Sequence, residues 1–125
     1  MFRAERYSAM HEMSMAQTIL KAALTELKKH PTARLKSASV VVGRQHSVVS
    51  ENLRFAFDVL ASDTKAQGAK LAIEIRAPVA RCLLCGWTGP IEIPRYACGA
   101  CGDGDIEMTG GNELYLESLE VETDE

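Results

Sequence analysis

Two short stretches constrain this chain more than anything else in it: CLLCG at 82–86 and CGACG at 98–102. They hold all four of its cysteines. Two residues between cysteines let both thiolates converge on one ion, and the glycine that follows relieves the tight backbone turn. Two such knuckles supply four sulfurs in a tetrahedron, which suits Zn²⁺ in a closed structural site at Cys82, Cys85, Cys98 and Cys101. Iron in a rubredoxin-like site fits the same tetrahedral sulfur set, and colour separates the two, because d¹⁰ zinc absorbs no visible light. Two disulfides would need an exported chain, and a thioredoxin-type motif needs a single pair at the start of a helix.

The knuckles sit in a segment unlike its surroundings. Residues 79–111 hold the cysteines, most of the glycines and little periodic apolar pattern. Such a segment cannot bury a core of its own and needs a staple.

The remainder reads as regular structure. Met13, Ala16, Leu20, Ala23, Leu24 and Leu27 fall on one face of a helix running from His11 to Lys29. Pro31 ends it. Val40, Val41 and Val42, closed by Gly43, predict a short buried strand. A loop, RQHSVV, follows. Ser50 is placed to cap a second helix, with Glu51 in its first turn and Leu53, Ala56, Phe57 and Leu60 on its inner face. Leu71, Ile73 and Ile75 alternate as a half-buried strand that Pro78 stops. The last strand, NELYLESLEV, changes phase between Leu116 and Leu119, which predicts a β-bulge near Glu117–Ser118.

The expected fold is therefore α+β: two helices packed on a small three-stranded sheet, with a zinc-ribbon-like insert before the last strand. The α+β domain takes 10–78 and 112–125, and the zinc-binding domain takes 79–111. Residues 1–9 carry no pattern and are expected to be an extension, not native or else disordered.

Composition narrows the function. The net charge is −3, which argues against a nucleic-acid binder driven by bulk charge. Arg81, Trp87, Arg95 and Tyr96 make a thin case for a nucleic-acid-binding ribbon, and Trp87 is expected to pack on the metal module instead. No apolar run reaches the roughly 20 residues of a membrane span. The start, MFRAERYSA, has no apolar core of a secretory signal. Unpaired cysteines then fit a reducing cytoplasm. No nucleophile, base and acid can be assembled around His46 and Ser47, and no phosphate loop is present, so an enzyme is not expected.

His11 begins a zinc-protease pattern that fails at once, because Met15 stands where the second histidine belongs. Its interest lies elsewhere. If the chain begins at Met10, a free α-amine, backbone amides and an imidazole lie within two residues. Nitrogen ligands in a plane are the preference of Ni²⁺ or Cu²⁺.

With these residues in view, the chain from Met10 onward resembles the HypA/HybF family, nickel metallochaperones of [NiFe]-hydrogenase maturation. The stretches that carry the resemblance are MHEMSMAQ, VVVG, ENLRFAFDVL, GAKLAIEI, the two knuckles and GNELYLESLEV, which together cover nearly everything from 10 to 121. The resemblance implies two helices on a three-stranded sheet with a zinc domain inserted before the last strand. It implies that His11 binds Ni²⁺ with help from backbone nitrogens of Met10, His11 and Glu12. It implies structural zinc on the four cysteines. It implies delivery of nickel to the hydrogenase large subunit together with a HypB-type GTPase, and in some members service to urease maturation proteins. Residues 1–9 depart from the family pattern, in which Met-His-Glu is the terminus itself. With an extension in place, the amine at Met10 becomes an amide and one strong ligand is lost.

Overall fold

The computed structural model describes residues 2–92 and 95–123, with side chains from His11 onward. In chain order the elements are α1 (Phe2–Leu27), β1 (Ala33–Gly43), a 3-10 turn (Arg44–His46), α2 (Ser50–Ala61), β2 (Lys70–Arg76), β3 (Val79–Cys82), β4 (Thr88–Pro90), β5 (Ile106–Gly110) and β6 (Leu114–Thr123). They form two three-stranded sheets, ordered β2-β1-β6 and β4-β3-β5. The chain divides into two units. One contains 1–40, 48–74 and 115–125; the other contains 41–47 and 75–114. Among the described residues, no helix is long and apolar enough to cross a membrane.

In the first unit, α1 and α2 pack on each other. Ile19 and Leu27 from α1, Leu35 and Val40 from β1, Leu53 and Phe57 from α2, and Leu71 from β2 are all buried. The inner stripe of α1 is Glu12, Met15, Ala16, Ile19, Leu20, Ala23 and Leu27. Met13 and Leu24, expected inside, are only half-buried. Ala16, Leu20, Ala23 and Leu27 are buried as expected, and the stripe extends toward Glu12, Met15 and Ile19 rather than toward Met13 and Leu24. The helix also starts earlier than the pattern from His11 predicts, at Phe2. Residues 2–9 hold neither proline nor glycine, so nothing local stops the backbone from continuing the helix.

The second helix does not start as expected. Val49, not Ser50, is its N-cap, and no side chain of its own caps it. The cap comes from α1. A carboxyl oxygen of Glu12 accepts the Val49 N–H at 2.5 Å. In a capping box, a glutamate three residues into a helix reaches back to the N-cap N–H. Here a glutamate from the neighbouring helix does the same, and Ser50 becomes the first helical residue.

β6 follows its two-phase pattern. Leu114, Leu116 and Leu119 are half-buried, while Glu117 and Ser118 between them are both exposed. β6 lies beside β1, and the Ser37 hydroxyl donates to Glu120 Oε1 at 3.2 Å.

The second unit contains more regular structure than its composition suggests. β3 pairs antiparallel with β4, Ala80 opposite Gly89, and with β5, Cys82 opposite Ile106. A register shift falls between Val79 and Ala80. These strands have three to five residues, too few for a period of two to stand out in the sequence. His46, at the end of the 3-10 turn after β1, is half-buried. Its Nε2 lies 2.9 Å from the Asn112 carbonyl. A carbonyl only accepts, so Nε2 carries the proton.

Candidate metal centre

The two knuckles are built alike. Cys82 carbonyl accepts the Gly86 N–H, and Cys98 carbonyl accepts the Gly102 N–H, each at 3.1 Å. Gly86 and Gly102 have φ of 80° and 77°, a left-handed geometry that a side chain would strain. The Cys82 N–H then donates to the Trp87 carbonyl and the Cys98 N–H to the Asp103 carbonyl. Each loop thus turns its first cysteine inward. Cys82 and Cys98 are buried, and Cys85 and Cys101 are exposed.

All four sulfurs lie within 4.8 Å of one another. Cys82 and Cys101 sulfurs are 3.7 Å apart, Cys85 and Cys98 sulfurs 3.6 Å. A zinc ion bonded to sulfur at ~2.3 Å in a regular tetrahedron sets sulfurs about 3.8 Å apart. A disulfide needs ~2.05 Å. The set is therefore spaced for a shared tetrahedral ion, and the four cysteines are free. Geometry alone suits zinc and iron alike.

Backbone donors aim at the first sulfur of each knuckle. The Cys85 N–H points to Cys82 Sγ at 3.4 Å. Those of Ala100 and Cys101 point to Cys98 Sγ at 3.2 and 3.3 Å. Burial pushes the Cys98 thiol up, but the Cys101 and Ala100 N–H groups, with thiol contacts from Cys101 and Cys85, outweigh it and bring the thiol down to about 6. Cys101 moves the other way. The N–H of Asp103 lowers it, but contact with Cys98, burial, and contacts with Cys82 and Cys85 carry it up to about 12. Cys85 is likewise raised: its backbone bond at Trp87 pulls down, while burial and the neighbouring sulfurs of Cys82 and Cys98 push up. One thiolate in the cluster discourages the next.

Trp87 packs on the module, as expected. A Cβ built on Gly89 or on Gly99 would lie 2.6 Å from the indole. Gly99 is inside the second knuckle, so the indole rests directly on the cysteine loop.

The other expected site lies on α1. His11 is exposed and Glu12 is buried, 1% accessible. The side chain of Met10 lies outside the described residues. Glu12 Oε2 is taken by Val49, while Oε1 is buried with no hydrogen-bond partner among the described residues. The first four N–H groups of a helix are unpaired and later ones donate within it. In a helix running from Phe2, the N–H groups of Met10, His11 and Glu12 come after that first turn. In a chain starting at Met10, the same three would belong to the unpaired first turn. Sequence reasoning did not foresee the cap that Glu12 provides. Only its spacing with Met15, Ala16 and Ile19 hints that it faces inward.

Comparison with known proteins agrees with this arrangement. The family model described as "Hydrogenase/urease nickel incorporation, metallochaperone, hypA" matches residues 10–121. A Dehalococcoides mccartyi protein, "Hydrogenase maturation factor HypA", is 32% identical over 113 residues, 90% of this chain and 95% of the relative. A Chlorobaculum parvum protein of the same name is 34% identical over 113 residues, 90% of this chain and all of the relative. The solution structure of the Ni metallochaperone HypA from Helicobacter pylori shares the fold, with a TM-score of 0.64 at 20% identity, covering 90% of this chain and 98% of that one. The chain belongs to the HypA family of metallochaperones for hydrogenase and urease nickel incorporation, carriers rather than enzymes.

Proposed function

We propose that this protein carries Ni²⁺ at the start of α1 and zinc in the cysteine cluster. His11 supplies an imidazole nitrogen, Met10 the α-amine of a chain that begins there, and Met10 to Glu12 backbone nitrogens. Cys82, Cys85, Cys98 and Cys101 hold a structural zinc in an insert spanning 79–111, between the two parts of an α+β domain at 10–78 and 112–125. The cargo goes to the [NiFe]-hydrogenase large subunit with the help of a HypB-type GTPase, in the cytoplasm. Urease maturation proteins are a second destination for the same cargo.

The observation that carries the reading is where the family match begins, at Met10. The Chlorobaculum parvum relative is matched along its whole length by 113 residues, 90% of this chain, so its full length is shorter than this chain. This supports Met10 as the functional start. A site made largely of backbone also suits a carrier, because a partner can displace such ligands one at a time.

The buried Glu12 side chain, already bonded to Val49, is no nickel ligand in this reading; its backbone is. Nickel titration of the zinc-loaded protein and of His11→Ala tests the assignment. The variant is expected to lose tight nickel binding and to keep its zinc. Tight nickel binding retained in His11→Ala refutes the site. Metal analysis tests the insert: one zinc in a colourless protein supports it, and one iron in a red protein replaces it with a rubredoxin-like module.

A further inference from the structure

The cysteine cluster has a closed side and an open one. Cys82 and Cys98 are 1% and 4% accessible, while Cys85 and Cys101 are exposed. Each exposed sulfur has a buried sulfur of the other knuckle against it. Cys85 meets Cys98 at 3.6 Å, and Cys101 meets Cys82 at 3.7 Å. Neither pair is a disulfide, and less than about 2 Å of travel separates each from becoming one.

Exposure decides where an oxidant enters. Oxidants react with the thiolate, and metal ligation requires the sulfurs as thiolates. Cys82 and Cys98 are shielded from solvent, and their sulfurs also accept backbone N–H bonds, from Cys85 in the first case and from Ala100 and Cys101 in the second. Attack therefore falls on Cys85 and Cys101. A peroxide oxygen transferred to the Cys85 sulfur makes a sulfenic acid and releases hydroxide. The Cys98 thiolate then attacks that sulfur; the S–S bond forms and a second hydroxide departs. The two sulfurs lose two electrons, and the peroxide gains them. A second peroxide does the same at Cys101, with Cys82 resolving.

Pairing across the knuckles decides what is left afterwards. Links between Cys85 and Cys98 and between Cys82 and Cys101 span 13 and 19 positions of the chain. They tie CLLCG to CGACG, so the insert keeps a staple after the thiolates that hold zinc are gone. Links within each knuckle would close only its own short loop and let the two knuckles part. A cross-knuckle pair is also reversible, because a small thiol reduces it and returns the four ligands in place.

We infer that Cys85 and Cys101 are modification sites for a hydroperoxide, each resolved by the buried cysteine against it, so that oxidation releases zinc and leaves the knuckles tied; this rests on the zinc reading above. The test treats the zinc-loaded full chain with hydrogen peroxide and follows zinc with a chromophoric chelator. Release of the zinc for two peroxides consumed is expected, and dithiothreitol with added zinc restores one equivalent. Trypsin then reads the pairing, because it cuts after Arg81 and Arg95 and at no other place from 82 to 125, which puts one knuckle in each peptide. The expected product is the two peptides joined, with fragmentation assigning Cys85 to Cys98 and Cys82 to Cys101. Two separate peptides, each with its own internal disulfide, overturn the inference. So do a pairing of Cys85 with Cys101, sulfonic acids without disulfides, and zinc retained at a peroxide dose that oxidises free glutathione. Metal analysis of the untreated protein judges the zinc reading by itself: iron in place of zinc refutes that reading, and the disulfide map still judges the pairing.

Discussion

Replacing Glu12 by alanine tests how the two helices are joined. The carboxyl is 1% accessible and reaches from α1 to the first N–H of α2 at 2.5 Å. No other side chain caps this helix. Deleting the carboxyl leaves the Val49 N–H without a partner, which costs about 1–3 kcal/mol where water cannot replace the bond. The change also removes Oε1, a buried oxygen with no partner among the described residues, and that relief returns up to about 1 kcal/mol. The net expectation is a loss of about 1–2 kcal/mol. Local exchange reads it directly. A loss of that size speeds hydrogen exchange at the Val49 amide by roughly five- to thirtyfold. Urea unfolding of the same variant is expected to show a lower midpoint with an unchanged slope. Zinc content stays the same, because the cysteine cluster contains no contact from Glu12. An exchange rate at Val49 within about twofold of the unaltered protein would show that the carboxyl does not hold the helix start.

The zinc insert yields three further expectations. Gly99→Ala places a methyl 2.6 Å from the indole, an overpacking expected to cost about 1–3 kcal/mol and to shift the emission of the single tryptophan; unchanged emission and stability would refute the packing. At pH 7.5 the zinc-free cluster is expected to hold Cys98 as thiolate, at about 6, and Cys101, at about 12, as thiol. Zinc binding then releases fewer than four protons, as read by calorimetry in buffers of different ionisation heat, and release of four refutes it. The signs for the zinc-free module follow from the same two thiols. Cys98, lowered from 9.0, contributes stability fully above pH 9 and loses it as pH falls through about 6; Cys101, raised from 9.0, contributes below pH 9 and loses it as pH rises through about 12. Replacing Cys82 and Cys85 together by alanine is expected to unfold the insert and to weaken nickel binding through coupled folding, and a nickel affinity that stays unchanged would disconnect the two sites.

How much could be read in advance depended on the kind of signal. Cys82, Cys85, Cys98 and Cys101 announced themselves, because ligand spacing is local and a knuckle closes within five residues. β1 and β2 were legible through Val40–Val42 and the alternation of Leu71 and Ile73. The short strands β3, β4 and β5 were not. Their order comes from pairing across the sheet and from the cysteine loops, neither of which leaves a period in three to five residues. On α1 the spacing found Ala16, Leu20, Ala23 and Leu27 but took Met13 and Leu24 for core in place of Met15 and Ile19, which are equally apolar; only packing chooses between them. Glu12 was invisible as a cap for the same reason. Its partner, Val49, is 37 residues away in the chain. On α2 the helical spacing did separate the two phenylalanines: Phe57, placed inward with Leu53 and Ala56, is buried, and Phe55, left off that face, stands in solvent.

The central claim is that Met10 and His11 open a nickel site. The most direct measurement is nickel titration of two zinc-loaded forms, one beginning at Met1 and one at Met10. Tight binding of one equivalent by the Met10 form, lost in the Met1 form, is the predicted result: a free amine and an unpaired first turn are present only in the former. Equal binding by both would contradict a site built on the terminus, and no tight binding by either would contradict nickel carriage at this place in the fold.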